Sequence, residues 1–354
     1  MADHDPPREA RSRSRRWLRP LLRWGLLALA AALVVHLLSG MEWQELASRF
    51  AAASLPWMAV AVALLLARFA VWTWRWGLAV DRLEEPPGAF PLYLMIMASA
   101  TVNHITPTAR ILGGVLRARH LAQRTGGSVG RAFGGVLFDQ LLHQATMVAA
   151  TVLGVIAAAL AVGRGRLALW SALGLAAAAV LGAVLWLRWR ARAGDGVQRL
   201  VRYLAERAGG EGRARRALAH GREAVDALSN LLEDGRLVAA VAALGGLYAL
   251  VNAGSQWAVF RGLGQQPGFW VVVASVALGM AAGAVVGTPG GMGATEAAMI
   301  GAFVAFGIDR VDATAAALLY RGLHYATVFA VGTPALIWLE TRRRAAPEPP
   351  GSRA

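Results

Sequence analysis

The chain contains no cysteine, which excludes disulfides, thiol nucleophiles and thiolate metal sites. It contains no lysine either: all 36 basic residues are arginine. Ser–Lys dyads, lysine Schiff bases and phosphate-loop lysines are thereby excluded. Charge is scarce. Only 16% of the 354 residues are charged, against about 25% in an ordinary soluble domain. Acids are scarcer still, 21 against 36 bases, for a formal net charge of +15. No His-Glu-x-x-His signature and no Walker loop occurs, so neither a metal site, a cofactor nor an enzyme activity is expected. What is present is apolar: 56% of residues are hydrophobic and the mean hydropathy is +0.47. A soluble chain of this length would leave much of that surface in water. The composition instead predicts an all-α, polytopic integral membrane protein. Arginine without lysine, with abundant Ala and Gly, points to a GC-rich bacterial genome, and hence to the bacterial inner membrane.

The first 19 residues carry six arginines and two prolines and read as a disordered basic arm. An uncleaved first span is expected at about 21–38 and an interfacial helix at 42–54, with Trp43, Leu46 and Phe50 on one face. Further spans are expected at about 55–78, 133–162, 167–187, 237–260 and 311–339. Two apolar arms, 89–102 and 268–287, run into breaks. No acid falls between 108 and 131, whereas arginines do, so this stretch belongs in the cytoplasm. A full crossing by 89–106 would put it outside; a re-entrant hairpin keeps it inside. Residues 188–236 hold eleven arginines, seven acids and apolar residues at helical spacing, and are expected to form amphipathic helices on the membrane surface. Both termini are then cytoplasmic. The expected organisation is one domain over 20–340 of about eight spans, with a first half at 55–163, the amphipathic segment at 188–236, a second half at 237–340, and a disordered basic tail at 341–354.

The two breaks correspond. Thr106-Pro107 and Thr288-Pro289 lie 182 residues apart; Asp139 follows Pro107 by 32 positions and Arg321 follows Pro289 by 32. Each break leads into glycines, Gly113 and Gly114 in one half, Gly290, Gly291 and Gly293 in the other. Paired broken segments in two halves point to a transporter-type binding site. An ionised side chain at mid-membrane costs about 2.5–3.5 kcal/mol or more, so each needs a partner or a wet cavity. The candidates are Asn103, Arg110, Arg117, Asp139, Glu296, Arg321 and His324, with His104 and His143 beside them. Arg110, Arg117 and Arg321 are expected to meet a lipid phosphate, and Glu296 and Asp139 to hold those arginines or an amine. Asp139 and Arg321 are expected to pair across the pseudo-symmetry axis.

These motifs, Asn103-His104-Ile105-Thr106-Pro107 with Gly113, Gly114 and Arg117, and Pro289-Gly290-Gly291-Met292-Gly293 with Glu296 and Arg321, resemble the flippase-like lysylphosphatidylglycerol synthase transmembrane family. The chain departs from the family pattern at Val115-Leu116, where an acid is frequent, and at Phe138-Asp139, where Glu-Arg is frequent. The resemblance implies a membrane domain that moves an anionic, polyprenyl-linked or aminoacylated lipid between leaflets. It also implies no aminoacyl transfer, since the chain ends within about fifteen residues of its last span. The alternative is a scaffold for a separately encoded glycosyltransferase or lipid synthase. Membrane lipids are the expected partners, with such an enzyme and a second copy of the chain as further candidates, and no nucleic acid.

Overall fold

In hydrocarbon every backbone N–H and C=O must be satisfied within the segment, which leaves helices for a chain built of Ala, Leu and Val runs. The computed structural model describes residues 43–83, 85, 87–106, 111–166, 170, 174, 211–286 and 289–345, with backbone alone for 211–217, 284–286, 289 and 343–345. The expected basic arm, the span at 21–38, most of the span at 167–187, residues 188–210, the tail beyond 345, Pro107 and Arg110 lie outside these residues.

Among the described residues there are ten α-helices and no strand. In chain order they are α1 Trp43–Ala51, α2 Leu55–Val80, α3 Ala89–Ile105, α4 Ile111–Thr125, α5 Val129–Ala161, α6 Glu211–Glu233, α7 Gly235–Gly262, α8 Phe269–Val286, α9 Ala294–Ala305 and α10 Arg310–Ala345. A short 3-10 turn, Pro289–Gly291, links α8 to α9. Four helices, α2, α5, α7 and α10, are long and apolar enough to cross a membrane. The apolar helices α3 (17 residues) and α9 (12 residues) fall short of the roughly 20 residues a crossing needs.

The packing repeats. Helix α2 packs on α7, α3 on α10 and α8 on α5; α4 packs on α3 and α5, as α9 does on α8 and α10. Exchanging α2–α5 with α7–α10 maps this set of contacts onto itself, with α2–α7 at its centre. The repeat is also inverted. The start of α2 meets the end of α7, where Ser54 N–H donates to Gly262 O at 2.8 Å. The end of α2 meets the start of α7, where Arg82 Nε lies 3.1 Å from Asp234 Oδ2. Equivalent helices of the two halves therefore run antiparallel.

The inversion brings the two hairpins in from opposite faces. The α3–α4 hairpin opens on the face that holds the ends of α2 and α10 and the starts of α5 and α7: Arg131 donates to Leu83 O at 2.8 Å, and Arg124 stacks on Trp338 at 5.4 Å. The α8–α9 hairpin opens on the other face, where Arg164 donates to Ala305 O at 2.8 Å and Arg49 lies 3.5 Å from Asp312. Small residues allow each hairpin to close. A Cβ at Gly113 would strike Asn103 and the Ser99 backbone, and one at Gly283 would strike Thr295.

Helix α6 buries Ala224, Ala227 and Leu231 and packs on α5. Gly130 and Gly134, one turn apart on α5, face His220, Glu223, Ala224 and Ala227 with no room for a Cβ. Small residues face one another at this contact, Gly130 and Gly134 against Ala224 and Ala227, and let the two helices approach closely. Residues Gly126 to Gly130 match the Gly-x-Ser-x-Gly pattern of hydrolases. Here Ser128 is the N-cap of α5, accepting from Gly130 N–H and bonding Glu223, so the match is a helix start and not a nucleophile elbow.

Candidate functional site

The ends of the two hairpins meet inside the bundle, where Gly290 lies against His104 and Tyr325. A cavity of about 230 Å³ opens there. It is lined from both halves, by Arg68 and Trp72 of α2, Asn103 and His104 of α3, and Tyr320, Arg321 and His324 of α10. Three hydrogen-bonded groups surround it.

The first group belongs to the second half. Gly290, Gly291 and Gly293 hold φ of 59°, 71° and 85°, a left-handed backbone that glycine enters without strain. This sharp loop aims the start of α9 at the cavity. Glu296, in the first turn, uses both oxygens: Oε2 accepts from Gly293 N–H at 2.7 Å and Oε1 from Arg321 Nε at 2.5 Å. Arg321 also donates to Gly290 O at 2.9 Å and to Tyr325 Oη. Arg321 thus ties α10 to the broken loop and to α9, and lines the cavity with Glu296 behind it.

The second group belongs to the first half and corrects the expected pairing. Asp139 does not pair with Arg321. Its Oδ1 accepts from Arg75 Nε at 2.8 Å, and its Oδ2 from Arg117 Nη1 at 3.2 Å and Trp72 Nε1 at 2.8 Å. Arg75 also meets His143 at 3.1 Å. Arg75, Arg117 and Asp139 are all buried. Arg117 lies 5.1 Å from the Trp72 ring and 5.0 Å from the Trp76 ring. It is absent from the cavity lining and locks α4 to α2 and α5. The equal offsets that suggested an Asp139–Arg321 pair mark equivalent positions of two halves. Each position is satisfied within its own half, by an arginine on α4 in one and a glutamate on α9 in the other.

The third group bridges the halves. Arg68 donates through Nη1 to Asn252 and, at 3.4 Å, to Tyr320 Oη, and its Nη2 lies 2.9 Å from His324 Nδ1. His324 Nε2 lies 3.0 Å from His104 Nε2, and His104 Nδ1 2.6 Å from Ala100 O. One tautomer set satisfies the row with both rings neutral: His104 donates to the carbonyl, His324 donates to His104, and Arg68 donates to His324.

Of the expected residues, Asn103, Gly290, Gly291, Arg321 and His324 line the cavity. Asn103 also accepts from Gly113 N–H at 3.1 Å, satisfying the first turn of α4. Gly113 and Gly114 sit in α4 against α3 and α5; Gly293 caps α9. Pro289 begins the 3-10 turn. Sequence reasoning passed over Arg68, Arg75, Asn252 and Tyr320. A signal was available for two of them: arginines seven apart in an apolar run share a helix face and each need a partner.

The profile of the lysylphosphatidylglycerol synthase TM region matches residues 23–332, and the chain belongs to that family. No curated protein matches it.

Proposed function

With that membership as premise, we propose that this domain moves a lipid head group between the leaflets of the bacterial inner membrane through the central cavity. The observation that carries the reading is the meeting of two hairpins, opening on opposite faces of the bundle, at a charged cavity within an inverted repeat. A polar head group crossing hydrocarbon loses its hydration at a cost of several kcal/mol; a mid-membrane polar site offsets that loss. An inverted repeat has two related arrangements, each opening one face. The Arg321–Glu296 pair joins a broken loop to a long span and is the contact a rocking motion would remake. The face carrying exposed Arg82, Arg119, Arg124, Arg131, Arg222, Arg236 and Arg342 is assigned to the cytoplasm, and the domain performs no bond-breaking step. A second reading, a scaffold for a separate glycosyltransferase or lipid synthase, draws support from α6, which displays charged residues on that face.

Proteoliposomes holding a fluorescent phospholipid in both leaflets separate the two. Bleaching from outside should remove close to all signal with the parent chain and about half with Arg321→His. Bleaching that stops at half with folded parent protein would leave the scaffold reading.

A further inference from the structure

Arg68 and the charge balance of the cavity identify the kind of head group it takes. Among the described residues in the three groups there are four arginines, Arg68, Arg75, Arg117 and Arg321, against two carboxylates, Asp139 and Glu296, and of these only Arg68 and Arg321 line the cavity. Both carboxylates are spent: Asp139 on Arg75 and Arg117, Glu296 on Arg321. Among these described residues two positive charges are left over, one within the Arg75–Asp139–Arg117 group and one, Arg68, on the cavity wall. Among the described lining residues there are two arginines and no carboxylate. Arg68 is 4% exposed, and the partners it bonds, Asn252, Tyr320 and His324, include no carboxylate. Its Nε–H is buried without any partner. The Nε and Nη2 edge of a guanidinium is the edge that grips two oxygens of one anion. A buried cation, unbalanced by an acid and with a donor unmet, on the wall of a cavity is incomplete as a purely structural element.

We infer that the cavity is a binding site for a phosphate ester of net negative charge, held between Arg68 and Arg321, and that it rejects amine-bearing head groups. This deepens the proposed transport reading and rests on it only for the movement, not for the binding. The volume suits such a group. About 230 Å³ is below the roughly 300–1,000 Å³ of sites that enclose a drug-sized ligand, so a head group fits while its acyl chains stay in lipid. Gln140 and Gln144, one turn apart on α5, line the cavity as well and offer side-chain amides to ester or hydroxyl oxygens. Among the described lining residues an ammonium group would meet two guanidiniums and no carboxylate.

The test is equilibrium binding to the full chain in detergent, read by displacement of a fluorescent short-chain phosphatidylglycerol. Short-chain phosphatidylglycerol and phosphatidic acid should displace it at least tenfold better than phosphatidylcholine or a lysyl-phosphatidylglycerol. Inorganic phosphate should compete only weakly if the ester and chains are part of the ligand; competition equal to the lipid would assign the site to free phosphate. Arg68→Gln should weaken binding at least tenfold, Arg68→Lys less, and Arg119→Gln, on an exposed surface, not at all. Equal or tighter displacement by the amine-bearing lipid overturns the inference in the parent protein, whether or not the variants fold. Unchanged binding by folded Arg68→Gln overturns it too. The same preparation run in the bleaching assay separates the two proposals. Selective binding without translocation removes the transport reading and keeps the site; translocation without anion preference does the reverse.

Discussion

Glu296 is asked to do two things with one carboxylate, to cap α9 at Gly293 and to hold Arg321. Gln keeps one acceptor oxygen and loses the charge. Glu296→Gln is therefore expected to lower stability by about 1–3 kcal/mol, the penalty for a charged donor left half-satisfied, and translocation at least tenfold per folded molecule. Detergent melting curves beside the bleaching assay check both numbers; parent-like transport would reduce Glu296 to a cap. Asp139 is the harsher case. It is the only acid bonded to Arg75 and Arg117 among the described residues, and all three are buried. Asp139→Asn strands two guanidiniums, and removing one partner of a buried pair costs about 3–5 kcal/mol. Loss of the monodisperse folded fraction in size-exclusion chromatography is the expected result, with Asp139→Glu retaining part of it.

At the scale of elements, glycines decide which helices touch. Gly332 on α10 lies so close to Met97 and Thr101 of α3 that a Cβ would overlap both. Thr101 Oγ1 also reaches Val328 O at 3.4 Å. Gly332→Leu is expected to part α3 from α10 and to cost about 1–3 kcal/mol as an overpacked contact, seen as a lower melting temperature; an unchanged value would mean the hairpin yields freely. The docking of α6 on α5 carries its own switch. The Ser128 hydroxyl bonded to Glu223, with His220 beside it, holds the Glu223 carboxyl below its ordinary value of 4.5. A depressed carboxylate contributes stability that is whole above its unfolded value and fades as pH falls through the folded one. The α6–α5 contact should hold from pH 6 to 8 and loosen below about pH 4. Pulsed EPR distances between labels at positions 124 and 219 would show it as broadening. Glu223→Gln should remove that pH dependence.

For the whole molecule, the inverted repeat fixes which ends share a face. The lack of native cysteine makes single introduced cysteines unambiguous reporters. Cysteines at 219, 236 and 342 should react only from the cytoplasmic side, and cysteines at 43 and 261 only from the periplasmic side. Labelling of 219 and 342 from opposite sides would break the hairpin arrangement. The two faces also differ in kind. The α3–α4 hairpin opens on the face with exposed Arg82, Arg124 and Arg131, while the α8–α9 hairpin opens beside Arg49, Asp312 and Arg164.

Sequence by itself determined that the chain is helical and membrane-spanning, because apolar runs long enough to cross leave the backbone one way to satisfy itself. It also determined the two breaks, their equivalence, and the family, since glycines, prolines and their spacings are local and periodic. The Glu296–Arg321 neighbourhood was half legible: a carboxylate after a glycine loop announces a helix start, and an arginine 25 residues on must find an acid somewhere. Which acid answers which arginine was decided by tertiary structure alone. The repeat offsets pointed Asp139 at Arg321, yet Arg75, supplied by α2, and Arg117, supplied by α4, reach Asp139 first. The short range of a hydrogen-bonded ion pair makes that choice depend on helix packing and not on spacing along the chain. The same holds for Arg68. In the sequence it is one arginine in an apolar run; only the crossing of α2, α7 and α10 sets it among Asn252, Tyr320 and His324, with no carboxylate bonded to it, at the wall of a cavity.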